Sequence, residues 1–140
     1  MNMKSFKYLL IAIPFLLASC SKGGETTTTP PETPVEVSVA FSVNVDPGAG
    51  NILGVVGTAQ AIIVKVSSAL PKEGVTILVT VTKDADNSVV FTNTSSSLTA
   101  DNTVNITGLT PGALSTTTVV VTSKATSSNT KSLSFKLAAK

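Results

Sequence analysis

The sequence predicts an all-β fold, an antiparallel two-sheet sandwich of about seven strands at residues 35–140, after a signal peptide and a disordered tether. Three observations predict it. Apolar and polar residues alternate with a period of two in several segments, which is typical of half-buried strands. Clusters of glycine, proline, aspartate and asparagine separate many of these segments, as turns do. No segment of this region has the period of an amphipathic helix.

The first three predicted strands show the clearest alternation. They cover residues 35–45, 58–67 and 75–82. Turns at 46–48 and 70–74 follow the first two, because proline cannot donate to a ladder and glycine accepts turn conformations. Both faces of the second are partly apolar, as in a central strand. The apolar faces comprise Val35, Val37, Val39, Phe41, Val43 and Val45 in the first, Ile62, Val64 and Val66 in the second, and Val75, Ile77, Val79 and Val81 in the third.

Four shorter strands complete the predicted sandwich. They cover residues 88–93, 103–107, 116–123 and 132–138, and a turn at 83–87 precedes them. Turn spacings of about 8 to 15 residues favour a two-sheet sandwich, and a small antiparallel barrel is the alternative fold. The residues predicted to point inward are, in order, Val89 and Phe91, Val104 and Ile106, Val119 and Val121, and Leu133, Phe135 and Leu137.

A glycine-rich segment lies between the first two strands, from Gly48 to Gly57. It lacks the Lys-Ser/Thr pair of a phosphate loop and opens no helix, so phosphate binding is not expected. Its apolar residues are expected to cover the end of the sandwich or to form an edge strand. If they are exposed instead, they form a contact patch for a partner. These residues are Ile52, Leu53, Val55 and Val56.

The stretch from Val104 to Gly112, Val-Asn-Ile-Thr-Gly-Leu-Thr-Pro-Gly, resembles the E strand and following corner of fibronectin type III domains, where a Leu-x-Pro turn precedes the sixth strand. The resemblance implies an immunoglobulin-like or fibronectin-type-III-like sandwich. The family carries a tyrosine shortly after the proline and a core tryptophan, whereas residues 113–116 include no tyrosine and the chain has no tryptophan. The prediction therefore concerns the type of sandwich and not membership of the family.

Residues 1–19 have the features of a cleaved signal peptide. Two lysines precede an apolar run at residues 8–17, which is shorter than the roughly 20 residues that a membrane span requires. The run ends in Leu17-Ala18-Ser19-Cys20, which resembles the lipobox of bacterial lipoproteins. The resemblance implies that a peptidase recognises Leu17, Ala18 and Ser19, that Cys20 becomes the first residue, and that Cys20 then receives a diacylglycerol and an N-acyl chain. An ordinary secreted protein with a cysteine beside its cleavage site is the alternative.

Residues 20–34 are predicted to form a tether between this lipid and the domain. They include four consecutive threonines and three prolines but no aliphatic residue, so they cannot form a core, and an extended chain of this length spans roughly 40 Å. Similar starts are common in lipoproteins of the Bacteroidota. Ser21 replaces the aspartate that favours inner-membrane retention in enteric bacteria, so the resemblance implies the outer membrane and leaves the periplasmic or surface face open.

The composition argues against several classes of function. The chain contains no histidine, arginine or tryptophan, so the commonest general base and the best bidentate anion ligand are missing. From Cys20 onward, lysines and acidic residues are equal in number, and a neutral domain without a basic patch is not expected to bind nucleic acid. The single cysteine allows no internal disulfide and no cysteine-based metal site.

Asp84-Ala85-Asp86-Asn87-Ser88 is a weak candidate for a metal site. Oxygen-bearing residues stand at alternate positions, Asp84, Asp86 and Ser88, as in calcium loops. The sixth position is a valine instead of the expected glycine, and a serine stands where a bidentate glutamate belongs. An ordinary polar hairpin turn is therefore favoured.

Two other motifs lack the context that their chemistry requires. Asn93 and Asn105 each begin a glycosylation sequon, which a bacterial lipoprotein has little reason to use. Residues 128–131 read Ser-Asn-Thr-Lys, but the accompanying motifs of Ser-x-x-Lys enzymes are missing.

Together these observations predict a lipid-anchored, non-enzymatic interaction or structural module of the cell envelope. Its expected partners are the membrane, through the lipid on Cys20, and a protein of unknown identity; no cofactor is expected. The alternative is a surface lipoprotein that binds a glycan or another small ligand, for which exposed aromatic residues are expected, yet Phe41, Phe91 and Phe135 are all predicted to point inward. A hydrolase is the third hypothesis. It would require an exposed pair of carboxylates, but the eight acidic residues of this chain are scattered over turns.

Overall fold

The computed structural model describes residues 35–140, so the predicted signal peptide, Cys20 and the tether lie outside the described residues. The described part is all β, without a helix. No helix long and apolar enough to cross a membrane occurs within it. The strands are β1 (Phe41–Val43), β2 (Ile52–Val55), β3 (Gln60–Val66), β4 (Val75–Lys83), β5 (Val89–Ser97), β6 (Asp101–Ile106), β7 (Leu114–Ser123) and β8 (Thr130–Ala139).

The strands form two separate sheets, one in the order β1-β3-β6 and one in the order β2-β8-β7-β4-β5. A two-sheet β architecture is thus confirmed, and the strands described do not close into a single sheet. All neighbouring strands are antiparallel except β2 and β8, which are parallel, with Ile52 beside Lys136. The structure has eight strands instead of about seven, and the expectation that all of them pair antiparallel is wrong at β2. Four residues are too few to show an alternation, and nothing in the segment indicates that it pairs with a strand as far along the sequence as β8.

One buried core joins the two sheets. The inward residues predicted for β3, β4, β6 and β7 are all buried, and so are Phe135 and Leu137 of β8. They form a single cluster of apolar side chains from both sheets. Burying one valine, leucine or isoleucine side chain stabilises a protein by about 1.5–3 kcal/mol. Apolar burial therefore holds this part of the chain together.

The first strand is much shorter than the alternation over residues 35–45 indicated. Val39 and Val43 are buried, but Val35 is 94% exposed and Val37 is 58% exposed. Only Phe41–Val43 pairs with β3. Residues 35–40 instead run beside the turn between β7 and β8, where the Asn129 side chain bonds their backbone. Alternation alone is therefore not enough for a ladder, which also requires a strand alongside.

Val89 points to the opposite side of its sheet from the one predicted. In the register of β4 and β5, Val81 lies opposite Phe91 but Thr82 lies opposite Val89, so one extra residue, Val90, is inserted. This β-bulge reverses the side of the sheet to which the residues before it point. Val89 therefore joins the outer face with Thr82 and is 60% exposed.

Candidate functional site

The outer edge of β5 is a sheet edge to which no strand among residues 35–140 pairs. β5 is the last strand of the five-stranded sheet and pairs with β4 on one side only. The other side of an edge strand presents unpaired N–H and C=O groups, which can pair with a further strand. This edge is the candidate functional site of the domain.

Two contacts show which backbone groups of β5 point away from β4. The carbonyl oxygen of Ser97 faces Gly74, just before β4, at 2.3 Å from the position that a Cβ atom would take there. The carbonyl oxygen of Val90 lies 3.3 Å from the corresponding position at Gly108, outside the β4–β5 pair. Backbone groups alternate in direction along a strand. The groups pointing away from β4 therefore belong to Thr92, Thr94 and Ser96, and we call them the β5 edge.

The β5 edge lacks the usual protection against pairing. Natural edge strands are short, or carry charges or prolines that discourage pairing. β1 and β2 have three and four residues, and the six-residue β6 begins with Asp101. β5 has nine residues without a charge or a proline. It is thus the longest edge in the described part of the chain and the most suitable for another strand.

The outer face of the five-stranded sheet is rich in hydroxyl groups and continues to the β5 edge. Neighbouring hydroxyls bond across strands: Thr118 Oγ1 lies 3.0 Å from Ser134 Oγ, and Thr122 Oγ1 lies 2.8 Å from Thr130 Oγ1. The hydroxyl residues of this face, from their register, are Thr76, Thr80, Thr82, Thr92, Thr94, Ser96, Thr116, Thr118, Thr122, Thr130, Ser132 and Ser134.

Asp84 and Asp86, the weak metal candidates, bind different partners. Asp84 accepts a hydrogen bond from Thr116 Oγ1 at 2.6 Å and forms an ion pair with Lys136. Asp86 accepts from the backbone N–H and the hydroxyl of Ser88, at 2.9 and 2.6 Å, as in a polar turn. Hydrogen bonds from Lys136 and Thr116 lower the pKa of Asp84, and those from Ser88 lower the pKa of Asp86.

The arrangement of this loop suits a hairpin turn. Asn87 has a φ of 57°, in the left-handed region that asparagine tolerates in turns. No group of three or more acidic, histidine or cysteine side chains that could hold a metal ion occurs in the described part of the chain. Both carboxylate oxygens of Asp84 have protein partners, and Asp86 Oδ1 is bonded to Ser88.

The glycine-rich segment forms an edge strand, one of the two arrangements expected for it. β2 contains Ile52 and Val55, of which Val55 is buried, while Ile52 and the following Val56 are exposed. A cavity of about 350 Å³ lies between residues 48–52 and the outer sheet face beside Lys136 and Thr116. Both of these side chains bind Asp84, so the ammonium at this cavity is already paired.

The segment from Val35 to Ala40, which we call the N-terminal strap, is held mainly by side chains, and at its end Ala40 O accepts a backbone hydrogen bond from Ser67 N at 2.8 Å. Asn129 accepts a hydrogen bond from Val39 N at 2.8 Å and donates one to Val37 O at 2.9 Å. Asn129 lies in the turn between β7 and β8, within the formal Ser-x-x-Lys motif, and its role here is structural. This role was not predicted from the sequence, because a turn asparagine alone does not indicate which distant backbone it binds.

Glu36 fixes the start of the same strap. Its Oε1 atom accepts a hydrogen bond from the Ser123 hydroxyl at 2.6 Å, and the Ser123 oxygen accepts from the backbone N–H groups of Ala125 and Thr126, both at 3.2 Å. The hydrogen bond from Ser123 lowers the pKa of Glu36. The point where the predicted tether would join the domain is therefore bonded to the end of the larger sheet.

The aromatic residues of the domain pack against its core. Phe135 is buried, and Phe41 and Phe91 are half-buried against the same cluster. The sequon residues Asn93 and Asn105 are exposed on β5 and β6. Cys20 and the lipobox residues Leu17, Ala18 and Ser19 lie outside the described residues, so the lipid anchor stays a prediction.

Comparisons with known proteins add no evidence about the function of this site. No protein-family model matches the sequence, and no curated protein matches it. A similar solved structure is the solution structure of the sensor domain of the anti-sigma factor RsgI4 in Pseudobacteroides cellulosolvens, with a TM-score of 0.39 and 18% sequence identity over 71% of this chain and 76% of that chain. A likeness at this level supports no inference about function, so the fold rests on the strands and sheets described above.

Proposed function

We propose that the protein is a lipid-anchored, non-enzymatic module of a bacterial outer membrane, of the Bacteroidota type, and that its domain associates with protein partners through the β5 edge. The observation that carries this proposal is the β5 edge, which lies on a nine-residue strand without a charge or a proline. Main-chain groups at such an edge bind an extended partner strand by β-augmentation. The proposal involves no cofactor and leaves the periplasmic or surface face open.

The lipid anchor is supported by the agreement of three sequence features in position. Two lysines, an apolar run at residues 8–17 and a lipobox that ends at Cys20 follow one another in this order, and a stretch of threonine and proline comes after them. Acyl chains contribute about 0.8 kcal/mol per buried CH₂, and two or more hold a protein firmly in a bilayer. The anchored domain would stand away from the membrane on residues 20–34.

Membrane fractionation tests the anchor. We expect Cys20→Ala to move the protein out of the membrane fraction, because the acylated sulfur is lost. Ser21→Ala is the matched control, since it leaves the cysteine in place, and it should remain with the membrane. Mass spectrometry of the N-terminal peptide should show diacylglycerol and an N-acyl chain on Cys20. A Cys20→Ala protein that stays in the membrane refutes the anchor.

We also propose that the sandwich is immunoglobulin-like or fibronectin-type-III-like. Without β2, the strand order β8-β7-β4 corresponds to the G-F-C order of immunoglobulin domains, and β1-β3-β6 corresponds to A-B-E. The corner that carries the sequence resemblance leaves Leu109 buried between β6 and β7. An experimental structure with a different strand order would refute this assignment.

Glycan binding is a second candidate function, favoured by the hydroxyl-rich outer face. Affinity electrophoresis of the chain from Ser21 to Lys140 in gels of soluble polysaccharides tests it. Retardation that is lost when Thr80 and Thr118 are both replaced by valine would support this candidate. Equal migration in every polysaccharide would exclude it for the polymers used.

A further inference from the structure

We propose that the β5 edge pairs with the β5 edge of a second copy of this chain, antiparallel and about a twofold axis that passes through Thr94. The inference rests on the proposed function of the domain as an interaction module and names its partner. The two five-stranded sheets would then become one continuous sheet, with both hydroxyl-rich faces on the same side.

The directions of the backbone groups select this register. An antiparallel pair joins residues that both point toward the partner strand. Centring the ladder on Thr94 places Thr94 opposite Thr94 of the second copy and Thr92 opposite Ser96 of the second copy. All outward groups of Thr92, Thr94 and Ser96 are then paired, with about six hydrogen bonds between the chains. A register centred on Asn93 would bring in Val90, whose carbonyl oxygen faces Gly108.

The side chains of β5 fit this self-pairing on both faces. On the outer face, threonine meets threonine at the axis and threonine meets serine on either side, and such cross-strand hydroxyl pairs are favourable. On the inner face, Asn93 would lie opposite Ser95 of the second copy. Like charges placed opposite each other destabilise a ladder, and β5 carries no charge. No like charges therefore face each other within the ladder.

A second copy is a better occupant than a foreign strand for two reasons. The edge is neutral along its length and complementary to itself, so it offers no charge by which to select a different sequence. In addition, anchored copies would share one membrane surface, where a weak contact gains from a high effective concentration. A foreign strand is the competing outcome of the test.

Single cysteines test the register directly. The chain from Ser21 to Lys140 contains no cysteine, so Thr94→Cys and Thr92→Cys each introduce one exposed thiol on the same face of β5. In the proposed ladder the two Thr94 Cα atoms lie about 5.5 Å apart, within disulfide range. The two Thr92 Cα atoms lie about 13 Å apart along the ladder.

We expect Thr94→Cys to form a disulfide-linked dimer under mild oxidation at least about tenfold faster than Thr92→Cys, because only the former places the thiols within disulfide range. Circular dichroism should show both variants folded before oxidation. Equal rates would indicate random collision and would overturn the proposal. So would the absence of a dimer in both variants.

Proline at position 94 provides a second, independent test. The N–H of Thr94 points away from β4, so Thr94→Pro removes a pairing donor without breaking the β4–β5 ladder, as edge strands permit. We expect sedimentation velocity to show that the unsubstituted chain self-associates with a dissociation constant below about 0.5 mM, as a weak, transient interface would. Thr94→Pro should be monomeric, with circular dichroism matching that of the unsubstituted chain.

The outcomes separate this inference from the lipid anchor. An unsubstituted chain that stays monomeric, or a Thr94→Pro chain that still associates, overturns the self-pairing. Neither result depends on Cys20, which is absent from the soluble chain. If Cys20→Ala leaves the membrane while the soluble chain is monomeric, the anchor stands and the second copy is not the partner.

Discussion

Thr117 is a polar residue at the centre of the larger sheet, and it yields the sharpest stability prediction. It lies on β7 between Val81 of β4 and Phe135 of β8, both of which are buried. Thr117 is itself 0% exposed. Its Oγ1 atom has no hydrogen-bond partner among residues 35–140. Thr117→Val replaces this hydroxyl by a methyl group of similar shape.

The expected effect is an increase in stability. An unsatisfied buried hydroxyl costs about 1–3 kcal/mol of desolvation, and the new methyl group adds apolar burial worth roughly 0.8 kcal/mol. Threonine and valine are both favourable in strands, so the conformational preference hardly changes. We expect the free energy of unfolding to rise by about 2–4 kcal/mol, and the melting temperature by about 4 °C or more per kcal/mol.

The neighbouring residue provides a matched control. Thr118 points to the outer face, and its Oγ1 atom lies 3.0 Å from Ser134 Oγ. Thr118→Val is the same substitution on the same strand, but it removes a hydrogen bond instead of an unpaired group. Urea unfolding followed by circular dichroism should show Thr117→Val above the unsubstituted chain, and Thr118→Val equal to it or below it by up to about 1 kcal/mol.

Two results would refute this reasoning. If Thr117→Val lowers the free energy of unfolding, the hydroxyl is hydrogen-bonded in the native protein. If both variants change stability equally, burial of the hydroxyl has no influence. Either outcome would mean that the core of the sheet is not as apolar around β7 as the packing indicates.

Three further predictions concern the strap, one glycine and one carboxylate. Asn129→Ala should lower the free energy of unfolding by about 1–3 kcal/mol, since two hydrogen bonds of roughly 1 kcal/mol each are lost, whereas Asn105→Ala, at an exposed strand position, should change it little. Gly74→Ala should lower the free energy of unfolding by about 1–3 kcal/mol more than Gly112→Ala does. Both glycines have a φ of 79°, but only at Gly74 would a Cβ atom meet the backbone, at a distance of 2.3 Å. Asp84→Asn should destabilise the protein at pH 7 and much less at pH of about 3.

The sign of the pH effect follows from the lowered pKa of Asp84. A carboxylate with a depressed pKa in the folded state stabilises the protein above its unfolded pKa of about 4, and this stabilisation is lost as the pH falls through the folded value. Urea unfolding at both pH values measures it. If the free energies of unfolding of Asp84→Asn and of the unsubstituted chain differ by the same amount at both pH values, this prediction is contradicted. Equal losses of stability in Asn129→Ala and Asn105→Ala, or in Gly74→Ala and Gly112→Ala, would contradict the other two predictions.

β3 and β4 were predicted best, whereas the longest alternation, at residues 35–45, gave only the three-residue strand β1. β3 and β4 have the predicted inward residues, because a period of two that extends over a whole strand is enough to assign its faces. β2 has only four residues, and its parallel partner β8 lies far along the sequence. The bulge that turns Val89 outward depends on how β4 and β5 pair, which no single segment encodes.

The candidate site shows the same division. That β5 is neutral and without proline can be read from its residues, and so can the turn chemistry of Asp86 and Ser88. That β5 is an edge, and that Thr92, Thr94 and Ser96 point away from β4, follows only from the sheet order and from the contacts at Gly74 and Gly108. Hydrogen bonds such as those of Asn129 join residues about 90 positions apart, which local patterns do not reveal.

The sequence by itself determined the features that depend on neighbouring residues: the all-β character, the faces of the regular strands and the turns. Lipidation at Cys20 is a prediction of the same local kind. The tertiary structure decided the features that depend on which segments meet: the two sheet orders, the parallel β2–β8 pair, the strap held by Asn129 and the unpaired edge of β5. The physical reason is that side-chain alternation is local, whereas a ladder forms between segments that only the packing of the core brings together.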